Sequence, residues 1–100
     1  MTDARPSTAP LTDSFDNERW IDLGLDPRAA DLLAGSLANE LSELRVDAVA
    51  AWSGDEDVVL AQLVAARIGV PRVVLYEDLG LLKVSRTLPA GSRVALVYTA

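Results

Sequence analysis

Apolar positions at Leu33, Leu37, Leu41 and Leu44 recur at spacings of four, four and three, with Leu32 alongside and Asp31, Asn39, Glu40 and Glu43 mostly elsewhere. That period sets one side of a helix against a core and leaves the other side wet. Asp26-Pro27-Arg28 supplies its start, because Asp26 can accept from the free N–H groups and Pro27 lacks only an N–H that the first turn does not use. A helix is predicted from about Pro27 to Leu44. Val46 to Trp52 is an apolar run closed by Ser53-Gly54, too short for a helix and apolar enough for a strand buried on both faces. A second helix is predicted over Glu56 to Ile68, with Leu60, Leu63, Val64 and Ile68 facing inward and Gly69 as its left-handed stop before Pro71. Arg72 to Tyr76 and Arg93 to Thr99 read as strands, the latter introduced by the turn-forming Pro89-Ala90-Gly91-Ser92. Between them, Glu77 to Leu88 has room for a hairpin at Leu81 to Thr87.

Strand, helix, strand in this order implies a βαβ unit, with the third apolar strand joining the same parallel sheet. The expected fold is therefore α/β, a parallel sheet with flanking helices. Residues 1–14 are small, polar and rich in Pro, Ser and Thr, and are expected to form a mobile tail. Order is expected to begin near Phe15 or Trp20, and residues 15–100 to form a single domain, apparently incomplete at its C-terminus. A parallel sheet normally carries helices on both faces, yet two helices are predicted and the sequence stops after the last strand. Either a longer chain or a second subunit would supply the missing layer, or the half-fold is marginal.

Composition narrows the chemistry. The 100 residues contain no cysteine and no histidine, which removes disulfides, zinc fingers, cysteine nucleophiles and Ser-His-Asp triads. Nine Lys and Arg against fifteen Asp and Glu give a net charge of -6, which argues against general nucleic-acid binding. The N-terminal residues lack the apolar run of a signal peptide, and no stretch is long and apolar enough to span a membrane. The expected location is cytoplasmic.

In an open parallel sheet, ligands gather at the carboxyl ends of the strands. Here that edge comprises Ser53 to Asp57, Glu77 to Lys83 and Tyr98 to Ala100. Ser53 and Gly54 could donate backbone N–H groups to a phosphate while Asp55, Glu56 or Asp57 holds Mg2+ through water. The same loop also reads as a capping box, with Ser53 or Asp55 accepting from the helix and Glu56 reaching back. Three carboxylates crowding a phosphate favour the cap. Lys83 is the basic residue best placed to reach over the strand ends, whereas Arg72, Arg86 and Arg93 read as solvated surface charges. Trp52 and Tyr76 could stack on a base or, more commonly, seal the sheet against a helix. Tyr76, Glu77, Tyr98 and Thr99 complete the strand-end candidates.

The order of segments resembles the type I phosphoribosyltransferases, most closely the orotate phosphoribosyltransferases, over about Phe15 to Thr99. Trp20-Ile21-Asp22-Leu23 is similar to the aromatic-Ile-Asp segment ahead of that family's first long helix. Val46 to Ala50 resembles its first core strand, Leu60-Ala61 and Ala65 to Pro71 its following helix and turn, and Pro89 to Val97 the lead-in to its phosphoribosyl-pyrophosphate strand. The resemblance implies half of a phosphoribosyltransferase-like, Rossmann-like fold and an oligomer. It also implies a place in pyrimidine nucleotide metabolism, the transfer of ribose 5-phosphate from phosphoribosyl pyrophosphate to a nitrogenous base with Mg2+ carried by the pyrophosphate.

The chain departs from the family at the motifs that do this chemistry. Ser53 to Asp57 keeps one glycine where the family's pyrophosphate loop is glycine-rich, and Tyr76-Glu77 replaces a basic pair. Lys83 stands where a mobile-loop lysine would lie, as the one catalytic candidate. The place of the acidic pair and Thr/Gly-rich loop is taken by Tyr98-Thr99. Two functions follow: a phosphoribosyltransferase-like protein expected to be inactive as this chain, or a regulatory or protein-interaction module on the same scaffold, with a homodimer or another protein as partner.

Overall fold

A computed structural model describes residues 11–15 and 18–99. The elements run β1 (Thr12–Phe15), β2 (Glu18–Ile21), α1 (Pro27–Ser42), β3 (Ala48–Trp52), α2 (Asp55–Ile68), β4 (Arg72–Asp78), β5 (Leu81–Val84) and β6 (Val94–Leu96). The strand-helix-strand unit is present: β3 and β4 pair in parallel, connected by α2, and β6 pairs in parallel on the other side of β3. Most of the expected N-terminal tail, residues 1–10, lies outside the described residues. Leu11 is fully buried and β1 pairs antiparallel with β2, so the folded part reaches back past the start expected at Phe15 or Trp20.

Helix α1 starts as its sequence dictates. Asp26 is extended, with φ -145°, and its Oδ1 accepts from Ala29 N at 3.1 Å. Its buried line, however, is Ala30, Ala34 and Ala38, while Leu33, Leu37 and Leu41 pack partly buried against the core. Leu32 and Leu44 are exposed, against expectation. The reason is close approach: α1 packs mainly against α2, whose buried residues are Leu60, Ala61, Val64 and Ala65, and alanine at the contact lets two helices come near. Gly35 serves the same approach, since a Cβ there would stand 2.9 Å from the Arg67 guanidinium as Arg67 reaches across to pair with Asp31.

Helix α2 stops at Gly69, whose φ of 75° is left-handed and whose N–H donates to Ala65 O at 2.8 Å. The chain then enters β4. The sheet order is β5-β4-β3-β6, and β5 runs antiparallel to β4, so the sheet is mixed and the purely parallel expectation is corrected. The cause is local. Leu79 and Gly80 both have positive φ, 52° and 79°, which suits a two-residue hairpin loop and returns the chain beside β4. At the far edge, Asp47 and Arg93 fix the register of β6: Asp47 N donates to Arg93 O at 2.7 Å, and Arg93 N to Asp47 Oδ2 at 2.8 Å.

The two faces of the sheet differ. Val49, Ala51 and Val97 belong to the core shared with both helices. Ala48, Ala50 and Val73 are equally buried but point the other way and are not part of that core. Both helices therefore cover the Val49 side.

Candidate functional site

The carboxyl ends of β3, β4 and β6 do meet at one edge, as expected, but several of their polar groups are spent on the fold. Ser53 N donates to Leu75 O at 3.0 Å, closing β3 onto β4, and Gly54 N donates to Trp52 O at 2.7 Å. The two N–H groups expected to face a phosphate are thus occupied by backbone carbonyls. Gly54 is the N-cap residue of α2, which has no side-chain cap bond, so the capping box is not formed either. Its Glu56 points elsewhere.

The three acids of the first turn diverge. Glu56 Oε2 accepts from Leu23 N, tying α2 to the loop before α1. Asp57 Oδ1 accepts from both Thr99 N at 2.9 Å and Thr99 Oγ1 at 2.7 Å, tying α2 to the segment that follows β6. Asp55 and Ser53 are exposed. Among the described residues, no group of three or more acidic side chains converges as a metal site. Of the three acids, Asp55 alone has no hydrogen bond shown to the scaffold.

Lys83 does not reach over the strand ends. It stands opposite Tyr76 on β5, two strands from β3, about 10 Å across the sheet. Its Nζ pairs with Asp78 Oδ2 of its own hairpin at 2.9 Å. Tyr76 lies on the helix side but beyond good cover, and Glu77 is exposed on the opposite side. Of the arginines, Arg86 and Arg93 are exposed as expected, while Arg72 is half-buried, its Nε enclosed without a partner among the described residues. Beside Glu56, Asp22, Leu23 and Pro27 help to line a mostly apolar hollow of about 360 Å³.

Trp52 reverses one expectation outright. It shares a side with Ala48 and Ala50, away from both helices, and is 44% exposed, so it seals nothing against a helix. Pairing carries that side across the sheet. Trp52 is level with Leu75, Leu75 with Val84, and Glu77 with Leu82, while Val94 and Leu96 flank Ala48 and Ala50. Val97 and Thr99 turn toward the helices, which leaves Tyr98 on the same side as Leu96. The sequence anticipates a sheet face without its layer of helices but not the residues that make it up, although Leu82-x-Val84 and Val94-x-Leu96-x-Tyr98 carry its period of two.

No helix among the described residues is long and apolar enough to cross a membrane. Compared with protein families and with curated proteins, the chain matches none.

Proposed function

We propose that this chain is a phosphoribosyltransferase-like α/β domain, resembling the orotate phosphoribosyltransferases in scaffold, that carries out no transfer itself and acts as a protein-docking module through its open sheet face. The observation that carries the reading is the division of labour at the two surfaces. At the strand ends, Ser53 N, Gly54 N, Glu56 and Asp57 are all committed to bonds that hold the fold. Across the sheet, a face made almost wholly of apolar side chains carries no helix. Exposed apolar side chains gathered on one side, here Trp52, Leu82, Val84, Val94, Leu96 and Tyr98 around the buried Ala48, Ala50 and Val73, are characteristic of interaction sites.

The scaffold part of the reading is supported by order. The long helix, the first core strand, the helix ending at Gly69 and the strand led in by Pro89 to Arg93 are realised as α1, β3, α2 and β6. The transferase part has less support, because the backbone N–H groups of Ser53 and Gly54, two of the donors a phosphoribosyl pyrophosphate site would use, already donate to carbonyls.

Calorimetric titration of phosphoribosyl pyrophosphate, with and without Mg2+, tests the catalytic half. No saturable heat at millimolar ligand is expected. Saturable Mg2+-dependent binding that weakens in Ser53→Ala and Lys83→Ala would reinstate a transferase site. A hydrophobic fluorescent dye tests the docking half, with binding at low protein concentration expected and its loss in Leu96→Asp.

A further inference from the structure

We propose that the hollow between the starts of the two helices binds a small organic amine, its ammonium group held by Asp22 and Glu56 and its apolar body seated on Leu23, Ala30, Val59 and Leu63. The site is separate from the sheet face, and the docking reading does not depend on it. Its walls come from the loop before α1, the first turn of α1 and one side of α2, where Glu56, Val59 and Leu63 follow one another at helical spacing. Leu23 and Ala30 are closed off, 3% and 2% exposed, while Val59 at 45% stands at the mouth. The volume of about 360 Å³ falls within the range of small-molecule sites, which are mostly apolar with a few polar groups that fix orientation.

The two carboxylates decide the charge of the ligand. Successive backbone amides hold them: Leu23 N donates to Glu56 Oε2, and Gly24 N donates to Asp22 Oδ1 at 2.9 Å. Each carboxylate is thereby oriented through one oxygen, and the other, Glu56 Oε1 or Asp22 Oδ2, has no partner among the described residues. Like charges fixed on neighbouring amides repel one another. A cation between them removes that repulsion and gains charge-assisted hydrogen bonds.

Helix starts by themselves favour anions, and both helices begin here. Asp26 already caps α1, however, and Asp55, Glu56 and Asp57 fill the first turn of α2, so whole negative charges outweigh the roughly half-unit positive charge of each helix start. Among the described residues no Lys or Arg lines the hollow. Arg28, next to Pro27 in α1, is exposed, and Arg67, a turn beyond Leu63 in α2, is paired with Asp31. A divalent metal ion suits the site less well, because it takes about six or more oxygen ligands, whereas two carboxylates here face an apolar wall. An ammonium group on a hydrocarbon body uses both halves of the site.

The test is a titration of the isotope-labelled full chain, followed by amide NMR, with phenethylamine and three relatives. Phenethyl alcohol keeps the body and lacks the charge, phenylacetate reverses the charge, and ethylamine keeps the ammonium group and lacks the body. The expected result is saturable shifts of the Leu23, Gly24 and Val59 amides with phenethylamine, and affinities at least about tenfold lower for the other three. Glu56→Gln keeps an oxygen acceptor for the Leu23 amide and removes the charge, so it should weaken phenethylamine about tenfold and leave the alcohol unchanged. Asp22→Asn repeats that test at the other carboxylate without touching the tie between α2 and the loop. Val59→Trp, placed at the exposed mouth, should fill the hollow and weaken phenethylamine while the amide spectrum stays that of the folded chain. Equal affinity for phenethylamine and its alcohol would overturn the proposal, since the carboxylates would then select nothing. Equal affinity for phenethylamine and ethylamine would also overturn it, as general attraction of cations to an acidic chain. So would the absence of saturation by about 10 mM, or shifts confined to residues away from the hollow.

Discussion

One carboxylate oxygen of Asp57 takes two hydrogen bonds from Thr99, 2.9 Å to its backbone N and 2.7 Å to its Oγ1, across 42 residues of chain. Asp57 is in the first turn of α2 and Thr99 follows β6, so the pair ties the helix layer to the last segment of the sheet. A hydrogen bond to a charged acceptor contributes more than a neutral one, about 1.5–3 kcal/mol. Asp57→Ala is therefore expected to lower the urea midpoint by an equivalent of about 1–2 kcal/mol, the reduction reflecting partial exposure. Thr99→Val removes only the hydroxyl bond and should cost less. A double-mutant cycle with coupling near zero would mean that the two residues do not act together.

Glu56, the preceding residue in the first turn of α2, ties that helix to the loop before α1. Its Oε2 accepts from Leu23 N, and Leu23 is buried in the core. Glu56→Gln keeps an oxygen acceptor and should cost about 1 kcal/mol or less, whereas Glu56→Ala leaves the N–H of Leu23 without it and should cost about 1–3 kcal/mol. Hydrogen exchange reads the same contact locally: the Leu23 amide should exchange faster in the alanine variant. Equal exchange in both proteins would show that the bond does not protect this amide.

These two ties explain why the fold is legible in the sequence while the site is not. The elements follow from signals within a few residues: Asp26-Pro27 starts α1, Gly69 ends α2, and short apolar runs make β3 and β4. The roles of Glu56 and Asp57 depend on partners 33 and 42 residues away, and no local pattern encodes those. Local reading can only assign the acids to their own helix end or to a ligand. The direction of β5 falls between these cases. The sequence leaves room for a hairpin over Leu81 to Thr87, but the turn forms at Leu79-Gly80 and includes a leucine at positive φ, which residue preference does not suggest.

Two glycines should respond differently to alanine. Gly69 has φ 75° and nothing within 4 Å of the place a Cβ would occupy, so Gly69→Ala meets backbone strain alone and should cost about 1 kcal/mol. Gly35 is inside α1, where alanine gains about 0.8–1 kcal/mol of helix propensity. Its new Cβ would displace the Arg67 guanidinium from an exposed pair with Asp31, worth about 0–1 kcal/mol. Gly35→Ala is thus expected near neutrality, within about 0.5 kcal/mol of the parent protein by thermal unfolding. A loss larger than that at Gly69 would show that Arg67 cannot give way.

The contact line of α1 offers the sharpest test of the packing, because sequence periodicity and structure rank two positions in opposite order. Periodicity places Leu32 beside the inward leucines, yet it is 61% exposed, while Ala34 is 0% exposed and lies between α1 and α2. If the alanine line sets the separation of the helices, Ala34→Leu must force extra volume into a closed contact, at about 1–3 kcal/mol. Leu32→Ala removes a side chain that is mostly in water and replaces it with a better helix former, so it should change stability by less than about 0.5 kcal/mol. Chemical denaturation of both variants decides between the rankings. A larger loss for Leu32→Ala than for Ala34→Leu would mean that α1 presents its leucine side to the core, and that the close approach through Ala30, Ala34 and Ala38 is not the packing in solution.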